Sequence, residues 1–531
     1  MVNPTKANQR EKEIDVARCK GNWDAIPELA RKFRKHSASG IVLEQTALAE
    51  YALVKAIEKT EAEKGFREES YDDDSPNNIT FPPTVEESSA DDIFAKLEVA
   101  LSQASGQEKE YVSIILARAY YVIGRYDKCA EALSTEFVPQ NLPSGYNFVL
   151  IIQALTVGGM AREMLEDNDG AIACYDQVVI LLAQKSGEKS EQLARWSEEA
   201  LYRSSLLKVR LGNASDALQS FRTYQTYVAL WGEKFCLHKR VIIFKNFIKI
   251  LSKSYQEGTY VPPSSSAPMS DKSSVYTPYT FRVELTGLHY SYENVLYQIT
   301  PFPKAGESNW RVLEFVDQVI SDWALLNRGT TVEMKGLIDM LYRATHKTFQ
   351  SPRILRHLLN TLIAYGDYEE AELAINAYVS IVEKVRETSK DEIENASKKT
   401  SSKKYTDVES TKHVVQTLIV GSELMAKYLN KAKETLDFAQ RAISWCEDED
   451  GGVDNELLAH AWRCMGVGYN LMAREERDPE CRSRLHTSAI DALTKSTSFD
   501  SNVIETHYLL ALEHAITRDI NQANISIRQA L

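Results

Sequence analysis

The chain has 531 residues, a formal net charge of −13, 44% hydrophobic and 26% charged residues. That composition belongs to a folded protein with a solvated surface, and its spread acidity leaves no overall basic footprint for nucleic acid. With 15 prolines, 23 glycines and seven cysteines without a C-x-x-C pair, it is neither fibrous nor disulfide-stapled, and the thiols suit core positions in a reducing compartment.

Residues 1–64 read as helices around "GNWDAIPELARKF" (21–33), whose W-x-x-I-P-E-L motif comprises Trp23, Ile26, Pro27, Glu28 and Leu29. The polar N-terminus lacks the apolar run of a secretory signal. An acidic, proline-containing loop occupies 65–90. Across 91–254 apolar residues recur at helical spacing, interrupted by small residues. "AYYVIGRYDKCAEAL" sets Tyr120 and Gly124 before Cys129 and Leu133; Gly159 precedes Ala171 and Tyr175; Gly212 precedes Ala217 and Phe221.

Residues 255–309 form a Pro/Ser-rich linker and an irregular segment. There "FRVELTGLHYSYENVLYQI" shows no clear period, and a short strand pair stands open as one reading. Helices resume over 310–387, where Leu359, Gly366, Tyr368 and Ala371 give the cleanest copy of the pattern. A Lys/Ser-rich loop covers 388–410, read as an inert insertion ahead of a phosphoregulated tether. The block 411–531 holds Ala439 in a second helix, Trp462, Gly466 and Tyr469 in a first helix, Ala489 in its partner, and Ala511 with Ala523 in the final pair.

Ala489 and Ala523 lie 34 residues apart, the period of the tetratricopeptide repeat, and the W/L-x-x-L-G/A-x-x-Y and A-x-x-x-F/L-x-x-A patterns are those of its two helices. Small residues let the two helix axes approach, large ones fill the flanks, and the glycine of "VIGRYD" sits at the turn, where positive φ is useful. The expected fold is all-α, an α-solenoid (superhelix) of tetratricopeptide-like helical hairpins with long loop insertions. The last repeat stops short of a full second helix and a cap, so the chain is expected to be a piece of a longer protein.

Catalytic signatures are missing. No H-E-x-x-H, P-loop, G-x-S-x-G or kinase set occurs, and "KSGEKS" (185–190) lacks the leading glycine and strand of a phosphate loop. His507, Glu513 and His514 share one helix and read as packing residues, and "EDED" (447–450) as loop charges. Two basic stretches, 30–36 and 234–253, read as solvated helix sides ahead of a membrane or acidic-partner surface. The expectation is a non-enzyme with no catalytic, cofactor-binding or metal-binding residue. The residues named above serve packing, and the partner-binding residues stay unassigned. A peptide carboxylate clamp would need basic and amide residues on successive first helices. Arg356, His357, Asn360, Arg463 and Asn470 give polarity there but not that set.

Three stretches, "GNWDAIPELARKF" (21–33), "DGAIACYDQVVILL" (169–182) and the run from Ala459 to Leu531, resemble the tetratricopeptide-repeat protein 7 family and its fungal cargo-transport counterparts. The last is the most specific, because that family also interrupts a repeat between its helices, here at "REERDPECRSR" (474–484). The resemblance implies a non-catalytic scaffold or adaptor. Its implied partners are a phosphatidylinositol 4-kinase and the C-terminal region of a membrane-anchored helical-rod scaffold. It would be cytoplasmic, recruited to the inner face of the plasma membrane, supporting phosphoinositide synthesis and endocytic cargo transport. The alternative reading is a general tetratricopeptide peptide-binding adaptor, a chaperone co-factor or cargo receptor.

Overall fold

Helical periodicity is realised almost throughout the computed structural model. It describes residues 4–37, 40–65, 81–133, 142–185, 187–263, 276–303, 308–326, 330–348, 350–394, 407, 409–447 and 454–531; among these no strand occurs. The chain divides into two units, Met1–Ile299 and Thr300–Leu531.

The first unit contains α1 (Pro4–Cys19), α2 (Ile26–Arg34), α3 (Ile41–Glu63), α4 (Asp91–Gln103), α5 (Gln107–Val122), α6 (Tyr126–Ala132), α7 (Tyr146–Met164), α8 (Asn168–Gln184), α9 (Glu191–Arg210), α10 (Ala214–Val228), α11 (Leu237–Gln256) and α12 (Tyr276–Ile299). The second contains α13 (Trp310–Leu325), α14 (Thr331–Thr345), α15 (Pro352–Tyr365), α16 (Tyr368–Glu394), α17 (Thr411–Leu424), α18 (Ala432–Glu447), α19 (Asn455–Glu475), α20 (Pro479–Phe499), α21 (Ile504–Ile516) and α22 (Ile520–Ala530), with a π-helical turn at Met425–Leu429. Consecutive helices pack as hairpins, and neighbouring hairpins stack within each unit. The fold is therefore an all-α, solenoid-type stack of tetratricopeptide-like hairpins.

One turn recurs in six hairpins. Gly124, Glu166, Gly212, Gly366, Asn430 and Arg518 all have positive φ, between 54° and 97°. Each stands five residues before the small residue that opens the second helix: Cys129, Ala171, Ala217, Ala371, Thr435 and Ala523. The next amide reaches back to a carbonyl five residues earlier, as in Arg125 N to Tyr120 O at 2.9 Å, Asp367 N to Leu362 O at 3.0 Å and Asp519 N to His514 O at 2.8 Å. This left-handed helix end satisfies carbonyls that would otherwise lack partners. At Asn430 the reach is six, Lys431 N to Met425 O at 2.9 Å, because the π-turn adds a residue. The common frame makes Thr435, not Ala439, the equivalent of Ala371; Ala439 lies one helical turn later and is also fully buried.

The same frame separates two glycine roles. Gly124, Gly212 and Gly366 are turn residues. Gly159 and Gly466 lie inside first helices, where an added Cβ would come within 2.5 Å of the Tyr175 ring and 2.6 Å of Leu493. These glycines let the helix axes close. Phe221, fully buried, illustrates the large positions; burying such a ring contributes about 1.5–3 kcal/mol.

Two segments depart from the sequence reading. The stretch 281–299, left open to a strand pair, belongs to α12. Phe281, Leu285, Leu288, Tyr292, Val295 and Leu296 are buried at helical spacing, and the Phe281 ring stacks on Tyr255 at 3.8 Å. The tyrosines and glycine scattered among them hid the stripe. The "REERDPECRSR" insertion forms no long loop either. Gly466 and Ala489 are 23 residues apart where Gly159 and Ala171 are 12 apart. Those 11 extra residues (23 − 12) mostly lengthen both helices of the α19–α20 hairpin, joined by Glu476, Arg477 and Asp478 alone. Of the acidic loop, 81–90 is described: Val85 N donates to Val122 O at 2.9 Å. Residues 66–80, 264–275, 395–406, 408 and 448–450, which carry parts of the acidic loop, the Pro/Ser linker, the Lys/Ser loop and "EDED", lie outside the described residues.

Candidate interaction faces and their charge networks

Several charges of the first unit are turned inward. Arg203 on α9 is fully buried. Its Nε donates to Glu199 one turn away, and its Nη1 lies 3.8 Å from Glu163 of α7. Lys239 of α11 places its Nζ 2.5 Å from Glu199 and 3.3 Å from Glu198. Tyr224 donates to Glu198 at 2.7 Å and Tyr175 to Glu163 at 2.5 Å. The Phe81 ring lies 4.4 Å from the Arg203 guanidinium carbon, a cation–π contact that extends its partners to the loop before α4.

Adjacent carboxylates titrate in opposite directions here. Burial would raise both, and it does raise Glu198, against the pull of Lys239. At Glu199, Lys239 and Arg203 together outweigh burial and hold the carboxyl at about 2. A second buried pair, Arg18 to Glu50 at 2.8 Å, joins α1 to α3, and Tyr146 of α7 donates to the same carboxylate at 2.5 Å. These groups cross-link helices. In the basic stretch 234–253, Lys234, Lys249 and Lys253 are exposed, as a solvated side requires, but Lys239 and Arg240 are buried, Arg240 donating to Val228 O at 3.0 Å. In 30–36, Ala30 and Phe33 are buried, while Arg31 is exposed and pairs with Glu28 at 2.8 Å.

The second unit sets its charges along the first helices of its hairpins. On α15, Arg353 reaches Asp317 of α13 at 3.1 Å and Asp407 at 3.3 Å. Arg356 meets Glu409 at 3.2 Å, and His357 Nε2 lies 2.9 Å from Asp317 Oδ1. Burial would raise Asp317, but His357 and Arg353 hold it below the usual carboxylate value. Asp407 and Glu409 thus dock the end of the Lys/Ser segment onto α15. Of the polar first-helix residues, Arg356 and His357 are occupied by the chain's own acids, and Asn360 is exposed. Asn470 donates to Glu513, which also meets His486 Nδ1 at 2.8 Å. His507, half of the histidine pair on α21, is buried with its Nε2 2.8 Å from Ser501 O.

Further along that face a small cleft lies between α17, α19 and α21, lined among others by Ser422, Glu423, Lys427, Arg463, Cys464 and Glu505. Glu423 Oε1 is 2.9 Å from His460 Nε2 and 3.3 Å from Lys427 Nζ. The His460 hydrogen bond foremost, with Lys427, holds the Glu423 carboxyl at about 2. Burial pushes the Cys464 thiol up to about 12. The sequence reading passed over this group. The H-x-x-x-C spacing of 460–464 was visible, but Glu423 is 37 residues away and only hairpin stacking brings it in. Nearby, Tyr368 stacks on Tyr428 of the π-turn at 4.1 Å, and Lys495 covers the Trp462 ring at 4.3 Å. In the N-terminal motif Trp23 and Ile26 are buried, Glu28 is exposed, and Pro27 and Leu29 are partly buried. Ala523 is partly buried while Ala489 and Ala511 are buried.

Stacked helical hairpins with polar first-helix faces define a tetratricopeptide-type helical-repeat protein. No family model matches the sequence. Over 532 residues the chain is 24% identical to the putative cargo-transport protein ypp1 of Schizosaccharomyces pombe, an alignment covering 99% of this chain and 60% of that protein. The chain spans 60% of the length of that relative. Among solved structures it is similar to the apo form of RapI (12% identity, 80% of this chain, 94% of that one, TM-score 0.30). The Cut9–Hcn1 hetero-tetramer of APC/C gives 11% identity, 82% and 89% coverage and a TM-score of 0.24. Among the described residues no helix is long and apolar enough to cross a membrane.

Proposed function

We propose that the chain is a non-catalytic adaptor whose helical-hairpin faces hold protein partners. The observation that carries this reading is similarity along 99% of its length to a protein named for cargo transport. In its finer form, the adaptor brings a phosphatidylinositol 4-kinase to a membrane-anchored helical scaffold at the inner face of the plasma membrane, and it acts from the cytoplasm. Support for that form comes from the three stretches resembling the tetratricopeptide-repeat protein 7 family. Repeat stacks suit this work because they present long faces for extended or helical partner segments. The rival peptide-tail clamp is less well supported, since Arg353, Arg356 and His357 already meet Asp317, Asp407 and Glu409.

The test is a pulldown of the purified kinase and of the scaffold's C-terminal region, each separately, on the 531-residue chain and on Lys412→Glu. Lys412 is exposed on α17, so the reversal changes the face without touching the core. Capture of either partner, weakened by the reversal, supports the adaptor reading. Capture of neither by a folded chain overturns the kinase reading for this chain.

A further inference from the structure

We propose that Glu423, His460 and Cys464 form a binding site for a zinc-class divalent metal ion, with its remaining position open to the cleft. Their donor atoms all lie within 4.8 Å of one another. His460 and Cys464 are four residues apart on α19, so both project from one side of that helix. Glu423 comes from the last turn of α17. Imidazole nitrogen, carboxylate oxygen and cysteine sulfur are ligands of Zn²⁺, with bonds of about 2.0–2.3 Å, which place neighbouring donors roughly 3.3–3.8 Å apart in a tetrahedron. Small side-chain adjustments bring the present cluster to that spacing.

Two further observations point the same way. A π-turn, a rare element concentrated at functional sites, begins two residues after Glu423. The carboxylate already holds a cation beside it: Lys427 Nζ, on that turn, at 3.3 Å. Lys427 is half-exposed and can swing into solvent when a divalent ion takes its place. Arg463, the other cation of the cleft, is drawn toward Glu505 at 3.5 Å. Three protein ligands and an open side leave room for a water as the fourth ligand. As the metal binds, the His460–Glu423 hydrogen bond opens, the ring proton takes the Nδ1 position so that Nε2 can ligate, and the thiol proton of Cys464 leaves to solvent as the sulfur–metal bond forms. The ion would tie α17 to α19, stiffening one part of the first-helix face. The site stands on its own geometry and does not depend on the adaptor reading.

The experiment titrates the chelator-treated 531-residue chain with Co²⁺, a spectroscopic stand-in for Zn²⁺, and then with Zn²⁺ as competitor. The expected result is a single equivalent of Co²⁺ with tetrahedral visible bands and a thiolate-to-cobalt charge-transfer band, displaced by Zn²⁺. Zn²⁺ should also raise the unfolding temperature. Cys464→Ser should remove the charge-transfer band, and His460→Ala and Glu423→Gln should each weaken Co²⁺ binding at least about tenfold. His460 is partly exposed, so its variant tests the site even if Cys464→Ser fails to fold. A chain that gives no charge-transfer band overturns the proposal. So does a band that survives in folded Cys464→Ser, or a His460→Ala chain that binds Co²⁺ as tightly as the parent.

Discussion

The two units use the same hairpin but place their charges differently. In the first, Arg203, Glu198 and Glu50 are withdrawn from solvent beside charged or hydroxyl partners, Arg203 with Glu199 on its own helix, Glu198 with Tyr224 and Glu50 with Arg18 on others. In the second, Lys427, His460, Lys412 and Arg353 keep contact with water while pairing along the first helices. A buried ion pair locks neighbouring helices because neither partner tolerates losing the other. A partly exposed pair exchanges partners cheaply. The first arrangement builds a rigid body; the second leaves a face able to rearrange its contacts around something else.

The largest effect should come from the lock. Arg203→Ala leaves Glu199 to Lys239 alone and Glu163 to Arg210 and Tyr175, and disrupting a buried pair costs up to about 3–5 kcal/mol. Urea unfolding of the first unit, followed through its aromatic fluorescence, should show the loss. A change below about 1 kcal/mol would mean that water reaches this network and that the contrast between the units is one of degree.

The next largest concerns helix approach. Gly159→Ala drives a methyl into the Tyr175 ring and should cost about 1–3 kcal/mol through overpacking. Gly366→Ala meets nothing within 4 Å, but at a φ of 97° it should cost about 1–2 kcal/mol through backbone strain alone. The pair separates close packing from turn geometry: a compensating Tyr175→Leu change, which removes the ring, should relieve only the former. Equal behaviour of both glycine variants on shrinking Tyr175 would contradict the two-role assignment.

These glycines also show what the sequence makes legible. Hairpin repeats were readable because the small residue opening each second helix recurs with large neighbours at fixed offsets, and that pattern survives wherever packing demands it. The turn rule was not readable, because a left-handed residue needs no single side chain. Glycine fills it at 124, 212 and 366, but glutamate, asparagine and arginine fill it at 166, 430 and 518. The buried charges were invisible too. Lys239 and Arg240 lie in a basic run that looks like a solvated surface, and only stacking shows that Glu198 and Glu199 face Lys239. The cleft donors follow the same logic: two were near in sequence, and the third arrived through the fold.

A pH series sharpens the comparison further. Lys239 and Arg203 hold Glu199 at about 2, below its ordinary 4.5, against the opposing effect of burial. A depressed carboxyl contributes stability that is complete above its unfolded value and lost as pH falls toward its folded one. The first unit should therefore lose stability between pH 4.5 and 2, and Glu199→Gln should flatten that part of the profile. A slope unchanged by the substitution would place the acid sensitivity elsewhere.

The smallest expected effect is the most discriminating. Lys412 and Asp454 form an ion pair at 2.8 Å with both side chains more than half exposed. Arg18 and Glu50 are also 2.8 Å apart, but both are buried. Separation is matched while exposure to solvent differs. Exposed pairs lose to screening and side-chain entropy most of what Coulomb attraction supplies. Lys412→Ala should therefore leave the urea midpoint where it is, while Arg18→Ala moves it strongly. Should both substitutions destabilise alike, separation rather than burial would govern these pairs. The second unit's first-helix face would then be as firmly locked as the interior of the first.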